Sequence, residues 1–474
     1  MAKLGIIKNT TYFTFALILQ KILSFIYFYF LSNGILQESF GRYVFALSYA
    51  SLFSTFIDLG MTAILIRESS RFPEKTNDYL KNIISLKFFL SIVTLVALYI
   101  IINISGKPAE VRMLVYLASI IMLFDSFTIS FWGVFRSRQN MSYESTATIF
   151  VQIIIFVMGF SALIFTKNII YIMMALVTAS AFNFIYSMIL LKIKLKFSIK
   201  PAWDIKIVKK FLIMLPVFAL GGIFIKIYNA SDSVLLGFLA SDKAVGMYAI
   251  PTKTITSLAQ IVPSAFAAAI FPVFSEHYKN SFENLKKTFL SAFSYLVMIS
   301  FPIAGGLIIM APIILKTIWK PYIEATSTFV VMSFAIPFIF LAFATGYFLI
   351  ACDKQKNNTI NRGIQAGLSL LLNFILIPLY SYLGSGIAFL IVNILVFILD
   401  FIYVKKVLNL KFSDIKDVLT KSLFACIIMM GTAYALSFYL HFIFVIIISV
   451  LLYFIVLMIL KAFKFSEIKK YLHL

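Results

Sequence analysis

Apolar runs of about 18 or more residues, each long enough to cross a hydrocarbon core of about 30 Å, recur along this chain from end to end. Short polar breaks separate them, and the pattern predicts about fourteen helices. The first half reads as spans at 10–36, 43–66, 83–104, 112–135, 146–166 and 169–191. The second reads as 211–239, 245–275, 288–315, 325–351, 361–380 and 384–404, followed by a pair at 419–439 and 442–463. The longest polar stretch, Lys192 to Lys210, reads as a loop, and no block is left over for a sizeable soluble domain. The first run starts after Lys8 and reaches about Leu36. It is too long for a signal-peptide core and no small-residue cleavage site follows it, so it is expected to remain as the first span.

The halves repeat one another. A shift of 205 residues carries Lys21 onto Lys226, Gly41 and Tyr43 onto Gly246 and Tyr248, and Leu80-Lys81 onto Leu285-Lys286. A shift of 203 carries Phe15-Ala16-Leu17 onto Phe218-Ala219-Leu220. A two-fold repeat of apolar helices with a cation inside each copy is a transporter layout. The expected fold is therefore an all-α integral membrane protein: a six-helix lobe at 1–198, a second at 199–410, and an additional helix pair at 411–474.

Polar residues enter the spans as stripes. Ser48, Ser51, Thr55, Asp58 and Thr62 share one face of the second helix, and Lys253, Thr256, Gln260 and Ser264 share one face of the eighth. The 205-residue shift lays Ser48, Ser51 and Thr55 on Lys253, Thr256 and Gln260, so the polar face is itself repeated. The first helix adds Thr14, Lys21 and Ser24, and the seventh adds Lys226, Asn229, Asp232 and Ser233. An ionisable group facing lipid at mid-depth costs at least about 2.5–3.5 kcal/mol. These faces are expected to line a shared watery chamber between the halves, which an axis along the membrane normal relates.

Each charge also has a plainer reading. Lys21 lies about 16 Å along its helix, too deep to snorkel, and either faces the chamber or pairs with Asp58. Lys226 and Asp232 share a face but need a third group for joint neutralisation. Lys253, about 12 Å from its helix end, either lines the chamber or snorkels outward. Asp125 is an ion-coupling ligand or a satisfied polar residue. Lys87 is expected to snorkel, and Asp400, near Lys405-Lys406, to be structural. Pro251, Pro263, Pro272, Pro302 with Gly305-Gly306, and Pro337 mark hinges or ordinary kinks.

Composition agrees: 62% of residues are hydrophobic, 13% are charged, and the mean hydropathy is +0.99. The net charge of +22 is distributed by loop, with about thirty basic residues on one side and about seven on the other. That bias puts both termini in the cytoplasm and marks a topology and anionic-lipid signal; nucleic acid is not an expected partner. Cys352 and Cys426 lie far apart, and His277, His441 and His473 are scattered, so neither a disulfide framework nor a metal site is indicated. No phosphate-binding loop, metal box or nucleophile elbow is present. The chain reads as a non-enzyme with no cofactor.

Lys21, Lys226 and Lys253, with Arg42 as a rim residue, outnumber Asp58 and Asp232 and favour an anion, most naturally phosphate or pyrophosphate. Hydroxyl and amide groups such as Asn229 and Gln260 suit sugar hydroxyls. Asp58, Asp125 and Asp232 are ion-coupling candidates by residue type.

Phe40-Gly41-Arg42-Tyr43-Val44-Phe45-Ala46, Phe56-Ile57-Asp58-Leu59-Gly60 and Ile66-Arg67-Glu68 resemble the first hairpin of the polysaccharide (O-antigen type) flippases. Leu215-Pro216, Asp232 to Gly237, Val245-Gly246-Met247-Tyr248, Ile261-Val262-Pro263 and Phe271-Pro272 resemble that family's seventh and eighth helices. These flippases belong to the multidrug/oligosaccharidyl-lipid/polysaccharide exporter superfamily. The resemblance implies two six-helix lobes in a MATE-like arrangement that alternate between inward and outward openings. It also implies a cationic chamber for polyprenyl-pyrophosphate-linked sugar in the cell membrane, with membrane lipids and polysaccharide-assembly proteins as partners. A lipid II flippase and a cation-coupled multidrug exporter share that fold. A multispan glycosyltransferase or polymerase needs a large outer loop with catalytic acids, whereas Glu38, Glu110, Asp242 and Glu324 read as isolated.

Overall fold

In the computed structural model the described residues are 2–462, excluding the side chains of 2–17, 217–218, 259–262, 264–265 and 268. Among the described residues there are helices and no strands, as the bilayer requires of segments that must satisfy their own backbone groups. The helices are α1 (Ala2–Gly34), α2 (Gln37–Asp58), α3 (Met61–Arg71), α4 (Thr76–Ile104), α5 (Ala109–Ser137), α6 (Ser142–Phe165), α7 (Ile169–Leu195) and α8 (Ile205–Leu239). They continue as α9 (Asp242–Asn280), α10 (Phe282–Ile318), α11 (Thr326–Ser333), α12 (Ile336–Ala351), α13 (Gln355–Leu408), α14 (Ser413–Leu436) and α15 (Phe442–Ile459).

Each expected span falls on one of these helices, on one arm of α13, or on a bent pair of helices. Among the described residues nine helices are individually long and apolar enough to cross a membrane, and up to eleven spans result when each of two bent pairs is read as one. The 54-residue α13 turns at Ser381, where φ is 52° and ψ is −133°, and each arm is long enough for its own crossing.

Two expected spans are not continuous. The span at 43–66 divides at Leu59 and Gly60, both with positive φ, so that α2 and α3 bend by 42°. The segment before α12 likewise bends from it by 42°. Pro337 is no mid-span kink, because it occupies the first turn of α12, where its missing N–H has no helical partner to lose. Pro251, Pro263 and Pro272 stay within the single helix α9.

The chain forms two compact units, Met1–Gly246 and Met247–Leu474, with the boundary inside α9. Compact units and duplicated segments are different divisions of a chain, and the 1–198 boundary concerns only the second.

In the first unit, α5 packs on α2, α3, α4 and α7, α6 packs on α1 and α7, and α8 packs on α2, α3 and α4. Its best-buried core joins Met61, Ile64, Leu80, Ile83, Phe135 and Phe211. The Lys192–Lys210 loop is shorter than expected, because α7 runs to Leu195 and α8 starts at Ile205. What remains is fastened to α4. Asn77 Oδ1 accepts from the Ser198 amide at 3.1 Å, Asn82 Oδ1 accepts from the Asp204 amide at 2.7 Å, and Ser85 Oγ donates to the Ala202 carbonyl at 2.7 Å.

In the second unit, α10 packs on α11, α12, α14 and α15, and α13 packs on α11 and α12. The two arms of α13 are joined by Arg362 to Asp400 at 2.5 Å and by Asn361 to Asp400 at 2.7 Å. Asp400 is structural as expected, but its cation is Arg362 rather than Lys405 or Lys406. An apolar cleft of about 320 Å³ lies where α10, α14 and α15 meet, lined by Pro302, Leu307, Met310, Met429, Val445 and Phe454 among others.

Candidate functional site

The break between α2 and α3 opens a cavity of about 580 Å³ within the first unit. Its polar lining comes from Ser51, Ser54, Thr55 and Asp58 on α2, Asp125 and Ser126 on α5, and Lys226 on α8. The stripe seen in the sequence thus faces this cavity through Ser51, Thr55 and Asp58, while Ser54 joins from outside it.

Lys226 lies within the Ala219–Leu239 span, and its side chain is exposed. Its Nζ donates to Ser51 Oγ at 3.3 Å and to Ser54 Oγ at 3.1 Å. Ser54 is itself tied back to the Ser51 carbonyl at 2.7 Å, which fixes the platform. Asp125 opens onto the same cavity and accepts a hydrogen bond from Ser180 of α7.

Asp58 is differently placed. Its Oδ1 lies 2.5 Å from Nζ of Lys87, a residue with 0% side-chain exposure reaching in from α4. Thr62 Oγ1 donates to the same carboxylate at 2.6 Å, and Lys87 also donates to the Ser126 carbonyl at 2.5 Å. Lys87 therefore points inward and does not snorkel. Its burial follows from Asp58 standing at the C-terminal end of α2, where the helix carbonyls also favour a cation. The expected alternative partner of Asp58, Lys21, is exposed on α1 and is not among the residues lining the cavity.

The remaining candidates scatter. Asn229 is exposed and Asp232 buried on α8, and neither lines this cavity. Lys253 is half-buried and belongs to the second unit. Gln260, Thr14 and Ser264 lie outside the described side chains.

Arg42 is not a bare rim cation. Glu38 at 2.5 Å, Asp242 at 3.2 Å and Glu110 all engage its guanidinium, and Lys107 meets Asp242 at 2.7 Å. Glu38, Glu110 and Asp242 are accordingly not isolated acids. The cluster sits where two helix starts cross. A Cβ on Gly41 would fall 1.7 Å from the Asp242 carbonyl oxygen, and one on Gly246 would fall 2.4 Å from that of Gln37.

Sequence reasoning missed Lys87, Ser54, Ser180 and the ionic cluster. The Glu38–Arg42 spacing of four residues was a usable signal for part of that cluster. Lys87 carried only its depth, which suits an inward or an outward reach equally. Counting Lys87, the cavity holds two ammonium groups and two carboxylates, so the positive excess expected of the chamber is not found in this cavity.

Long bent helices around a charged cavity define a multi-pass membrane protein of the MurJ and MATE fold class. Solved structures show that likeness of fold. The lipid II flippase MurJ in an inward closed conformation is 17% identical over 98% of this chain and 99% of that one, with a TM-score of 0.73. An inward-facing multidrug resistance MATE family transporter of the MOP superfamily is 15% identical over 80% and 94%, with a TM-score of 0.62. A MOP superfamily transporter from Pyrococcus furiosus, described as having a binding pocket of reversed polarity, is 15% identical over 85% and 95%, with a TM-score of 0.54.

The profile of the polysaccharide biosynthesis protein family matches residues 6–278, more than half of the chain, and the chain belongs to that family. This agrees with the resemblance read from the sequence. No curated protein sequence matches it.

Proposed function

We propose that the protein is a flippase that moves polyprenyl-(pyro)phosphate-linked oligosaccharide from the cytoplasmic to the outer leaflet by alternating access. The observation that carries this reading is Lys226, an accessible ammonium inside a membrane span that rests on two serine hydroxyls. Hydroxyls leave its charge available, and a compact ammonium suits a phosphate oxygen. Family membership supports a role in polysaccharide assembly. The apolar cleft of α10, α14 and α15 suits a polyprenyl chain, whose transfer there needs no polar partner. Moving a charged, glycosylated head across hydrocarbon requires no covalent step, and the basic excess of alternate loops supports termini on the cytoplasmic side.

The test is reconstitution into vesicles with a fluorescent polyprenyl-pyrophosphate oligosaccharide, with lipid II and an organic cation as competing cargoes. Wild type should carry the lipid-linked sugar, and Lys226→Ala should slow it by about tenfold or more, the loss of one charge-assisted contact. Lys21→Ala and Lys253→Ala, run beside it, decide whether those lysines also serve. Unaltered transport in Lys226→Ala, or transport of the organic cation alone, would defeat the reading.

A further inference from the structure

We propose that Asp125 takes up a proton when Lys226 engages a diphosphate head group, so that substrate and proton are loaded together; this rests on the flippase reading above. Three charged groups line the cavity, Asp58 from α2, Asp125 from α5 and Lys226 from α8, and Lys87 from α4 stands buried behind Asp58. The two other elements packed on α5 contribute Ala63 from α3 and Leu176 from α7, neither of which titrates.

Asp58 and Lys87 compensate each other at 2.5 Å, and Thr62 completes the carboxylate's hydrogen bonds. Among the described residues, Asp125 and Lys226 make no such close ion pair. Each is held by hydroxyls, and across the cavity each attracts the other, with Asp58 also attracting Lys226. An empty cavity is therefore neutral.

A diphosphate diester changes that balance. It brings two negative charges to Lys226, withdraws the compensation of Asp125 and sets like charge beside it in a poorly solvated space. One proton from water at the open end, added to a carboxylate oxygen of Asp125, relieves the repulsion. Lys226 stays an ammonium throughout, no covalent bond forms or breaks in the substrate, and the loaded head moves with one unit of negative charge fewer. Asp58 is not the proton site, since Lys87, which makes no contact with Lys226, stands 2.5 Å from it and compensates its charge.

The experiment is calorimetric titration of the full chain in lipid nanodiscs with a short-chain polyprenyl diphosphate carrying one sugar. Both phosphate protons of such a diester are strongly acidic, so the probe does not titrate near neutrality. Comparing buffers of different ionisation enthalpy gives the proton count directly. Wild type should take up about one proton per probe, with affinity falling about tenfold per pH unit once Asp125 is ionised in the empty protein. Asp125→Asn should bind with no proton uptake and a flat pH profile, more tightly than wild type at the high-pH end. Binding by wild type without proton uptake across about pH 5 to 8, or an undiminished pH dependence in Asp125→Asn, would overturn the proposal while leaving the flippase reading intact. Failure of wild type to bind the probe at all would bring down the flippase reading, and the proton exchange with it.

Discussion

Removing either partner of the Asp58–Lys87 pair should cost different amounts, because the two ends are differently solvated. Lys87 has 0% side-chain exposure, whereas the Asp58 side chain retains 28% at the cavity. Asp58→Leu strands an ammonium that keeps only the Ser126 carbonyl and the Thr62 hydroxyl, so it should cost about 3–5 kcal/mol, as breaking a buried pair does. Lys87→Met keeps the volume and leaves a carboxylate that still has Thr62 at 2.6 Å and access to cavity water. That change should cost about 1–3 kcal/mol, the range for one poorly satisfied polar group. The double variant should cost less than the sum of the singles, with a coupling of up to about 3 kcal/mol. Unfolding by denaturing detergent, followed in the same lipid–detergent mixture for all four proteins, gives the comparison. A neutral Lys87→Met is what a snorkelling lysine would show, and with an additive double variant it would refute the buried pair.

Gly41→Ala and Gly246→Ala should each destabilise at or above the usual overpacking range of about 1–3 kcal/mol, because the new methyl meets backbone oxygen and not a side chain that can turn. Gly431→Ala, with nothing within 4 Å of its Cβ, should be neutral or slightly stabilising, and thermal unfolding of the three variants side by side checks both claims. Arg362→Met should cost about 3–5 kcal/mol, since it abandons Asp400 at 0% exposure, and Arg362→Met with Asp400→Leu should recover much of it in the same assay. Arg42→Ala should lower the thermal midpoint more at low salt than at high salt, as fits a partly exposed cluster of three acids and two bases. A transport defect without loss of stability would restore Arg42 as a substrate residue.

Most of the helix plan was legible because a bilayer leaves few options: an apolar run of sufficient length becomes a helix whatever its neighbours are. The breaks were harder. Leu59-Gly60 sits inside an expected span, beside the polar stripe of Asp58 and Thr62, and a single glycine there does not announce a 42° bend. The Asp58 stripe on α2 was readable from its period, and it does face a cavity. The identity of its cation was not, because Lys87 lies on α4 and nothing local to either helix couples them. Lys21 and Lys226 looked equivalent by repeat position, yet only Lys226 lines the cavity. A matching position along the chain does not fix what a side chain packs against.

One pair of positions matched by the 205-residue shift also meets in space. Gln37 and Gly41 map onto Asp242 and Gly246 at the 205-residue shift. Each glycine faces the carbonyl four residues before the other, at 1.7 Å and 2.4 Å from an added Cβ. The contact is close to two-fold, so one requirement for a missing side chain is imposed twice, once at each glycine. Small residues let helix backbones approach in lipid, where no hydrophobic force drives them together. Two helix N-termini brought this close would repel through their dipoles, and the acids Glu38 and Asp242 in the first turns oppose that, with Arg42 and Lys107 completing the charge balance. The glycines and the charged cluster are thus one feature, and replacing the acids by amides should weaken the crossing even with both glycines intact.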